Sequence, residues 1–506
     1  MGDPIRGRFV ISKSPQNVFF RPPFRFRRKR VAFMSRCITH PVRRAMVLGR
    51  RRASENKRDS HTSYSSSATC DDTFQGTAFE IMEEQDDLLS RSKMADTHPL
   101  EVERLMRRES SLEGGISEWE AAASLAKAIM GAGSFALPWA FGNMGYVAGP
   151  IFMTILMMLA VYSLKLLVKC SRTSAGYSYV DVARSTFGPA GARLCYVASC
   201  SASIGVCGSY LVFIAANLQS LVDVFDVSQN AWILAVLPIA VALSSVRDMK
   251  RFAFVSLLGD ISVVLGMAVV LIYGFIYESH AFGHGCVAMG RVEAMPLAFG
   301  TIGYLFLVHF LVLPIESSMA RPERFEAVSV ITFSLCALLS GCFGVMGYLL
   351  FGEETQQIVL LNVRGSAFVS AVKLLLCVDL LLTYPVVMRP SIVIVEQSIG
   401  KKKTSVKQHQ DSEWKSHVAV CALLGLVAAG SSIFVPAFGL LSGLVGGVAQ
   451  TFLALVLPPL MLAQQSHSQQ GSWRLEANEA GLVVFGVMII GWTLFSTWKE
   501  LQAGNV

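Results

Sequence analysis

Between about residue 116 and residue 498 the sequence is a succession of apolar runs, most of them close to the ~20 residues a helix needs to cross roughly 30 Å of hydrocarbon. That pattern leaves little choice of architecture, because in lipid the backbone has to satisfy its own N–H and C=O groups. After an interrupted first run, spans are expected at about 146–169, 194–221, 231–246, 252–277, 295–319, 328–351, 367–395, 418–434, 436–463 and 480–498. The prediction is an all-α polytopic membrane protein with eleven transmembrane helices. A chain of 506 residues with 53% hydrophobic and 16% charged residues fits that class and no ordinary soluble one.

The amino-terminal stretch is different. No Asp or Glu occurs between Pro4 and Ser54, while RPPFRFRRKR and GRRR cluster arginine, and HTSYSSSATCDD is rich in serine. Residues 1–115 therefore read as a disordered, basic, Ser-rich cytosolic arm attracted to anionic lipid, and 116–506 as the transmembrane domain. An organellar presequence is the rival reading of such an acid-poor segment. A nucleic-acid partner is not expected for an arm tethered to a membrane core. Within EEQDDLLS, Glu84 precedes Leu88 and Leu89 at the spacing of an acidic dileucine address read by sorting adaptors for lysosome-like or vacuolar membranes, though such runs arise by chance in acidic tails.

Lysine and arginine alternate in density from loop to loop. With the arm in the cytosol, the cytosolic loops carry Arg172 and Arg184; Arg247, Lys250 and Arg251; Arg321 and Arg324; Lys401, Lys402, Lys403 and Lys407; and Arg474. The opposite loops offer only Arg291 and Arg364, and an odd number of spans places the carboxyl end outside the cytosol. Most of the 11 cysteines, including Cys195, Cys207, Cys336 and Cys377, fall in apolar runs as small buried hydrophobes, with neither a disulfide framework nor a metal site in their spacing.

The first apolar run, WEAAASLAKAIMGAGSFALPWAFGNM, is broken at Gly131, Ala132, Gly133 and Ser134 and restarts through Phe135 toward Pro138. Unwound backbone at membrane depth is tolerated only against protein or a wet cavity. The amino end of the second half presents free N–H groups and a positive dipole end, which suits a carboxylate. The amides around Gly133, Ser134 and Phe135 are therefore expected to hold the carboxylate of a small zwitterion. A small-residue face for helix packing is the bland alternative.

Ionisable groups inside spans are costly and need partners. Lys127 lies one turn before Gly131, and Asp379 in the eighth span lies one turn before Thr383, so the two are expected to pair, either as a coupling device or as a purely structural ion pair. His309 and Glu316 sit in the sixth span around Pro314. His309 is read as a proton relay or as a neutral imidazole bonded to one carbonyl, and Glu316 as a packing cap. Asp260 of the fifth span has no partner visible in the sequence.

LAKAIMGAGSFALPWAFGNMG, GVMGYLLFGEETQQIVLLNV, LLLTYPVVMRP and IFVPAFGLLSGLVGGVAQTFLALVLPPL, in that order, resemble the amino acid/auxin permease family, especially its vacuolar and proton-coupled branches. The resemblance covers about residue 116 onward. It implies a fold similar to the bacterial leucine transporter, with inverted five-helix repeats, broken first and sixth helices and an eleventh helix appended. Carried onto this chain, it puts the solute between Gly131–Ser134 and the segment from Phe306 to His309, with Tyr210, Thr383 and Tyr384 lining the same cavity. Lys127 falls where sodium-coupled relatives place a sodium-site residue and proton-coupled ones commonly have lysine, so the coupling ion expected is the proton rather than sodium, with no other cofactor. Vacuolar relatives often have glycine before the histidine, whereas this chain has Val308, which weakens the expectation of a sixth-helix break.

The resulting expectation is a proton-coupled secondary transporter of neutral amino acids, working by alternating access in a vacuolar or lysosome-like membrane, with the plasma membrane as the other location. The alternative is a non-transporting amino-acid sensor signalling through its arm, where Ser54 follows Arg51 and Arg52 like a basophilic kinase target. An enzyme is disfavoured, since no HExxH and no clustered catalytic carboxylates occur in the spans, and no ring-forming charged segment suggests a channel.

Overall fold

A computed structural model describes residues 115–502, apart from 175–177, 223–226, 247–249, 279, 281, 400–408 and 471–475. The basic arm and the Glu84, Leu88, Leu89 run lie outside the described residues. The described residues are almost wholly helical. Nine helical stretches among them are long and apolar enough to cross a membrane. The interrupted first segment and the shorter apolar helix Gln229–Ser244 lie where the other two of the expected eleven would fall, and neither has the length of a single crossing helix.

The first segment is two helices, α1 (Glu118–Ile129) and α2 (Leu137–Met144), separated by a 3-10 turn, Ala132–Ala136. A capping box starts α1: Ser117 Oγ accepts from the Glu120 N–H at 3.3 Å, and the Ser117 N–H donates to Glu120 Oε2 at 2.7 Å. Glu118 and Glu120 in its first turn and Lys127 in its last complement the helix dipole. Pro138, in the first turn of α2, has no N–H to lose there and restarts the helix. Gly145 ends it at φ 98°, where a Cβ would strike the Ala288 carbonyl oxygen at 2.3 Å.

There follow α3 (Ala148–Ser174), α4 (Tyr179–Leu221), α5 (Gln229–Ser244) and α6 (Lys250–Tyr273). Helix α4 begins well before the expected residue 194, because its first turns run to Gly188, whose φ of 70° lets Pro189 start the spanning part in a new direction. The sixth segment is again two helices, α7 (Met295–Phe306) and α8 (His309–Ser318). The break falls at Leu307 and Val308, with ψ of 48° and 23°. Valine before the histidine does not prevent it, since its backbone angles there stay at negative φ and need no glycine. The chain continues as α9 (Phe325–Phe351), α10 (Ala367–Ile399), α11 (His409–Phe434), α12 (Phe438–Leu444), two π-helical turns at Val445–Gln450 and Phe452–Val456, α13 (Leu457–Gln470) and α14 (Ala477–Gln502).

Packing sorts these helices into two groups. The first and sixth segments contact the second and seventh, α3 and α9, whereas α4, α5, α10 and α11 pack on one another. Each member has its counterpart five spans further along. Because five is odd, counterparts cross the membrane in opposite directions, which is the inverted five-helix repeat. Helix α6 and the α12–α13 segment bridge the groups. Some contacts are backbone against backbone: a Cβ on Gly300 would lie 2.0 Å from the Gly443 carbonyl oxygen, and one on Gly446 would lie 2.0 Å from the Gly300 oxygen. A small-residue packing face of the kind considered for the first segment is thus found also between α7 and the segment from Gly443 to Gly446.

Candidate functional site

A cavity of about 760 Å³ runs from the first-segment break to one end of the bundle. Its blind end is lined by Lys127, Gly131, Ala132, Gly133, Tyr210 and Tyr304, and its mouth by Ile116, Asp181, Ser318, Arg389 and Ile394. The mouth is on the face that carries the start of α1, which is the Lys- and Arg-rich side. At the other face, the 283–290 loop hydrogen-bonds to the α2–α3 turn, for instance through the Gly290 N–H to the Met144 carbonyl at 2.7 Å. Gln357 Oε1 there accepts the Gly439 N–H at 2.8 Å. Among the described residues, the cavity reaches one face of the bundle.

Near the mouth the two half-helices α1 and α8 are tied together. The Ile116 N–H donates to Ser318 O at 2.8 Å and the Ala320 N–H to Ile116 O at 3.0 Å. Arg172 at the end of α3 reaches both Glu316, at 3.4 Å, and the Pro322 carbonyl, at 2.8 Å. Glu316 is therefore part of an ion-pair network that joins α3 to α8, which is more than a packing cap.

At the blind end, Met130 and Gly131 are extended and the 3-10 turn begins at Ala132, so its first amides have no partner within the turn. The Ser134 N–H is spent on the Gly131 carbonyl, at 3.1 Å, which shifts the open amides from the expected Gly133–Phe135 toward Gly131–Gly133. Opposite them, α7 ends with carbonyls beyond Gly303 that the break leaves without helical donors; the Gly303 oxygen itself accepts the Leu307 N–H at 2.8 Å. Donors on one wall and acceptors on the other suit a zwitterion. The Tyr210 hydroxyl lies 3.8 Å from where a Gly131 Cβ would be. A Cβ on Gly133 would come within 2.7 Å of both Leu305 and Tyr304, so glycine is what allows α7 so close.

The remaining expected residues divide. Thr383 lines the cavity, but Phe135, Ser134, Phe306, His309 and Tyr384 are buried behind its wall. Phe135 packs on Phe213 and Phe343, with ring centroids 5.8 and 6.0 Å away, and Phe306 turns toward Phe333 on α9. Tyr384 lies under α11 near Gly425. His309 is fully buried with its ring beside the backbone of Ala160 on α3, while its neighbours Val308 and Phe310 face the cavity.

The Lys127–Asp379 pair forms as expected. The ammonium donates to both carboxylate oxygens, to Oδ2 at 2.6 Å, with both residues buried and Lys127 lining the cavity. Gly259 of α6 completes the arrangement, since a Cβ there would sit 2.0 Å from both Lys127 Nζ and Asp379 Oδ1. Sequence reasoning passed over Gly259, whose signal was its place beside Asp260. It also passed over Gln450, a polar side chain at membrane depth in a π turn, which lines the cavity with its Oε1 unpartnered.

An all-helical bundle of inverted repeats, with two facing helix breaks at the blind end of a one-sided cavity, is the architecture of a membrane transporter. The family described as "Transmembrane amino acid transporter protein" matches residues 114–498, and the chain belongs to that family. It is a family of transporters and not of enzymes. The chain is 27% identical to "Amino acid transporter AVT3C" of Arabidopsis thaliana, over 76% of this chain and 91% of that one. It is 26% identical to "Vacuolar amino acid transporter 3" of Schizosaccharomyces pombe, over 80% of this chain and 62% of that one. Among solved structures, a Na+-coupled sialic acid symporter in a substrate-bound outward-open state aligns at a TM-score of 0.48 and 11% identity, covering 77% of this chain and 90% of that one.

Proposed function

We propose that this protein moves neutral amino acids across a vacuolar or lysosome-like membrane by alternating access, coupled to protons rather than sodium. The observation that carries the substrate class is the blind end of the cavity, where the amides at Gly131–Gly133, which have no partner within the 3-10 turn, face the carboxyl end of α7. The family and the vacuolar relatives support the setting. The open amides take the substrate carboxylate, the carbonyls at the two breaks take its ammonium, and Tyr210 and Tyr304 close over the ends.

Lys127 supports the choice of ion. A fixed ammonium between α1 and α10 occupies the space a bound cation would need, and it joins the first segment to the packing group that contains α10. Outside the described residues, the basic arm is the part suited to anionic lipid, and Glu84 with Leu88 and Leu89 to a sorting adaptor.

The test is flux of a labelled panel of neutral amino acids in proteoliposomes, with an imposed acid gradient and, separately, a sodium gradient. Accumulation driven by the acid gradient is expected. Accumulation driven by sodium alone would overturn the coupling, and binding without flux would turn the reading to a sensor.

A further inference from the structure

Asp260 is an intramembrane acid for which neither the fold nor the substrate site has yet given a use. It follows Gly259, where a Cβ would overlap the joined ends of Lys127 and Asp379. It is half-buried on α6, its Oδ1 is shut off from solvent and has no hydrogen-bond partner, and both members of the pair act on it electrostatically. The titratable groups facing it are Lys127 from α1, Asp379 from α10 and Cys336 from α9.

Counting charge there is decisive. Lys127 and Asp379 cancel, so an ionised Asp260 leaves the cluster with one uncompensated negative charge at membrane depth, and one added proton makes the cluster neutral. Lys127 is held by two carboxylate contacts and is poorly placed to release a proton, whereas Asp260 has an oxygen with nothing bound to it. Lys127 also lines the cavity, which connects the cluster to the water there.

We infer that Asp260 binds and releases the coupled proton, while the Lys127–Asp379 pair is the fixed charge that senses it. Proton binding at Asp260 removes a negative charge that pulls on the Lys127 ammonium, and with it on α1 and the break at Gly131. Release restores that pull. The proton comes from and returns to water on the two sides of the membrane, so nothing else is consumed. This inference rests on the proton-coupled reading above.

The experiment compares wild type and Asp260→Asn in proteoliposomes with a labelled mixture of neutral amino acids. Two quantities are read: accumulation driven by an imposed pH gradient, and exchange against the same amino acids at equal pH. Asp260→Asn is expected to keep exchange while losing at least tenfold of the gradient-driven accumulation and the substrate-induced proton movement seen with an entrapped pH dye. Gradient-driven accumulation by Asp260→Asn at the wild-type level overturns the inference and leaves the reading intact. Wild type that ignores the pH gradient overturns the reading itself. If Asp260→Asn shows no exchange, Asp260→Glu decides: a displaced pH profile of accumulation supports the inference, and an unchanged profile overturns it.

Discussion

Replacing Gly259 by alanine tests the ion pair without removing a charge. The added Cβ would stand 2.0 Å from both Lys127 Nζ and Asp379 Oδ1, where ordinary contact begins at 3.4 Å, so the two side-chain ends have to retreat by about 1.4 Å. If that widens the 2.6 Å contact to about 4 Å, the attraction at an effective dielectric of about 20 falls from about 6 to about 4 kcal/mol. The expected cost is about 2 kcal/mol, which lowers the melting temperature on the order of 2–5 °C. Helix propensity alone predicts the opposite sign, because alanine is better than glycine in a helix by about 1 kcal/mol. The assay is heat treatment of detergent-solubilised protein followed by size-exclusion chromatography, run also in a Lys127→Ala, Asp379→Ala background. There the space before Gly259 is empty, so Gly259→Ala should be neutral or stabilising, and the difference between backgrounds measures the coupling. Melting of Gly259→Ala at or above wild type in the native background would refute the reasoning.

Gly133→Leu should reach the membrane and elute as folded protein yet take up no amino acid, because its side chain must occupy the space held by Leu305 and Tyr304; wild-type uptake would remove the carboxylate site from Gly131–Gly133. Tyr210→Phe should raise the KM for amino acid about tenfold with little change in the maximal rate, the effect of losing one hydrogen bond to a charged group worth about 1.5 kcal/mol. Gly446→Val should yield little folded protein, since its side chain meets the backbone of Gly300 and Tyr304 at 2.0 and 2.4 Å, and yield and monodispersity check it.

Much of the site was legible because membrane depth makes exceptions conspicuous. Gly131–Ser134 stood out as a break in an apolar run, and Lys127 and Asp379 as charges where charge is costly, so their pairing followed from a shared need. His309 was equally conspicuous and is found behind the cavity wall instead of on it. A sequence shows that a polar residue lies at a given depth, but which way it faces depends on the rotation of its helix against neighbours. Phe306 and Tyr384 illustrate the same limit: each lies on a helix that lines the cavity, and each turns its ring into the packing behind it.

The sequence by itself determined the class: helices across a membrane, a first segment that must break, and a buried lysine that must find an acid. Those conclusions need only the cost of unpaired backbone and of charge in hydrocarbon, which depend on residue type and position along the chain. The family resemblance implied a sixth-segment break, and the tertiary structure placed it at Leu307 and Val308; the structure alone decided the side on which the cavity opens and the meeting of Gly259 with Lys127 and Asp379. Each of these is an approach between helices far apart in the chain, set by which small residues let backbones come close. No single stretch of sequence carries that information.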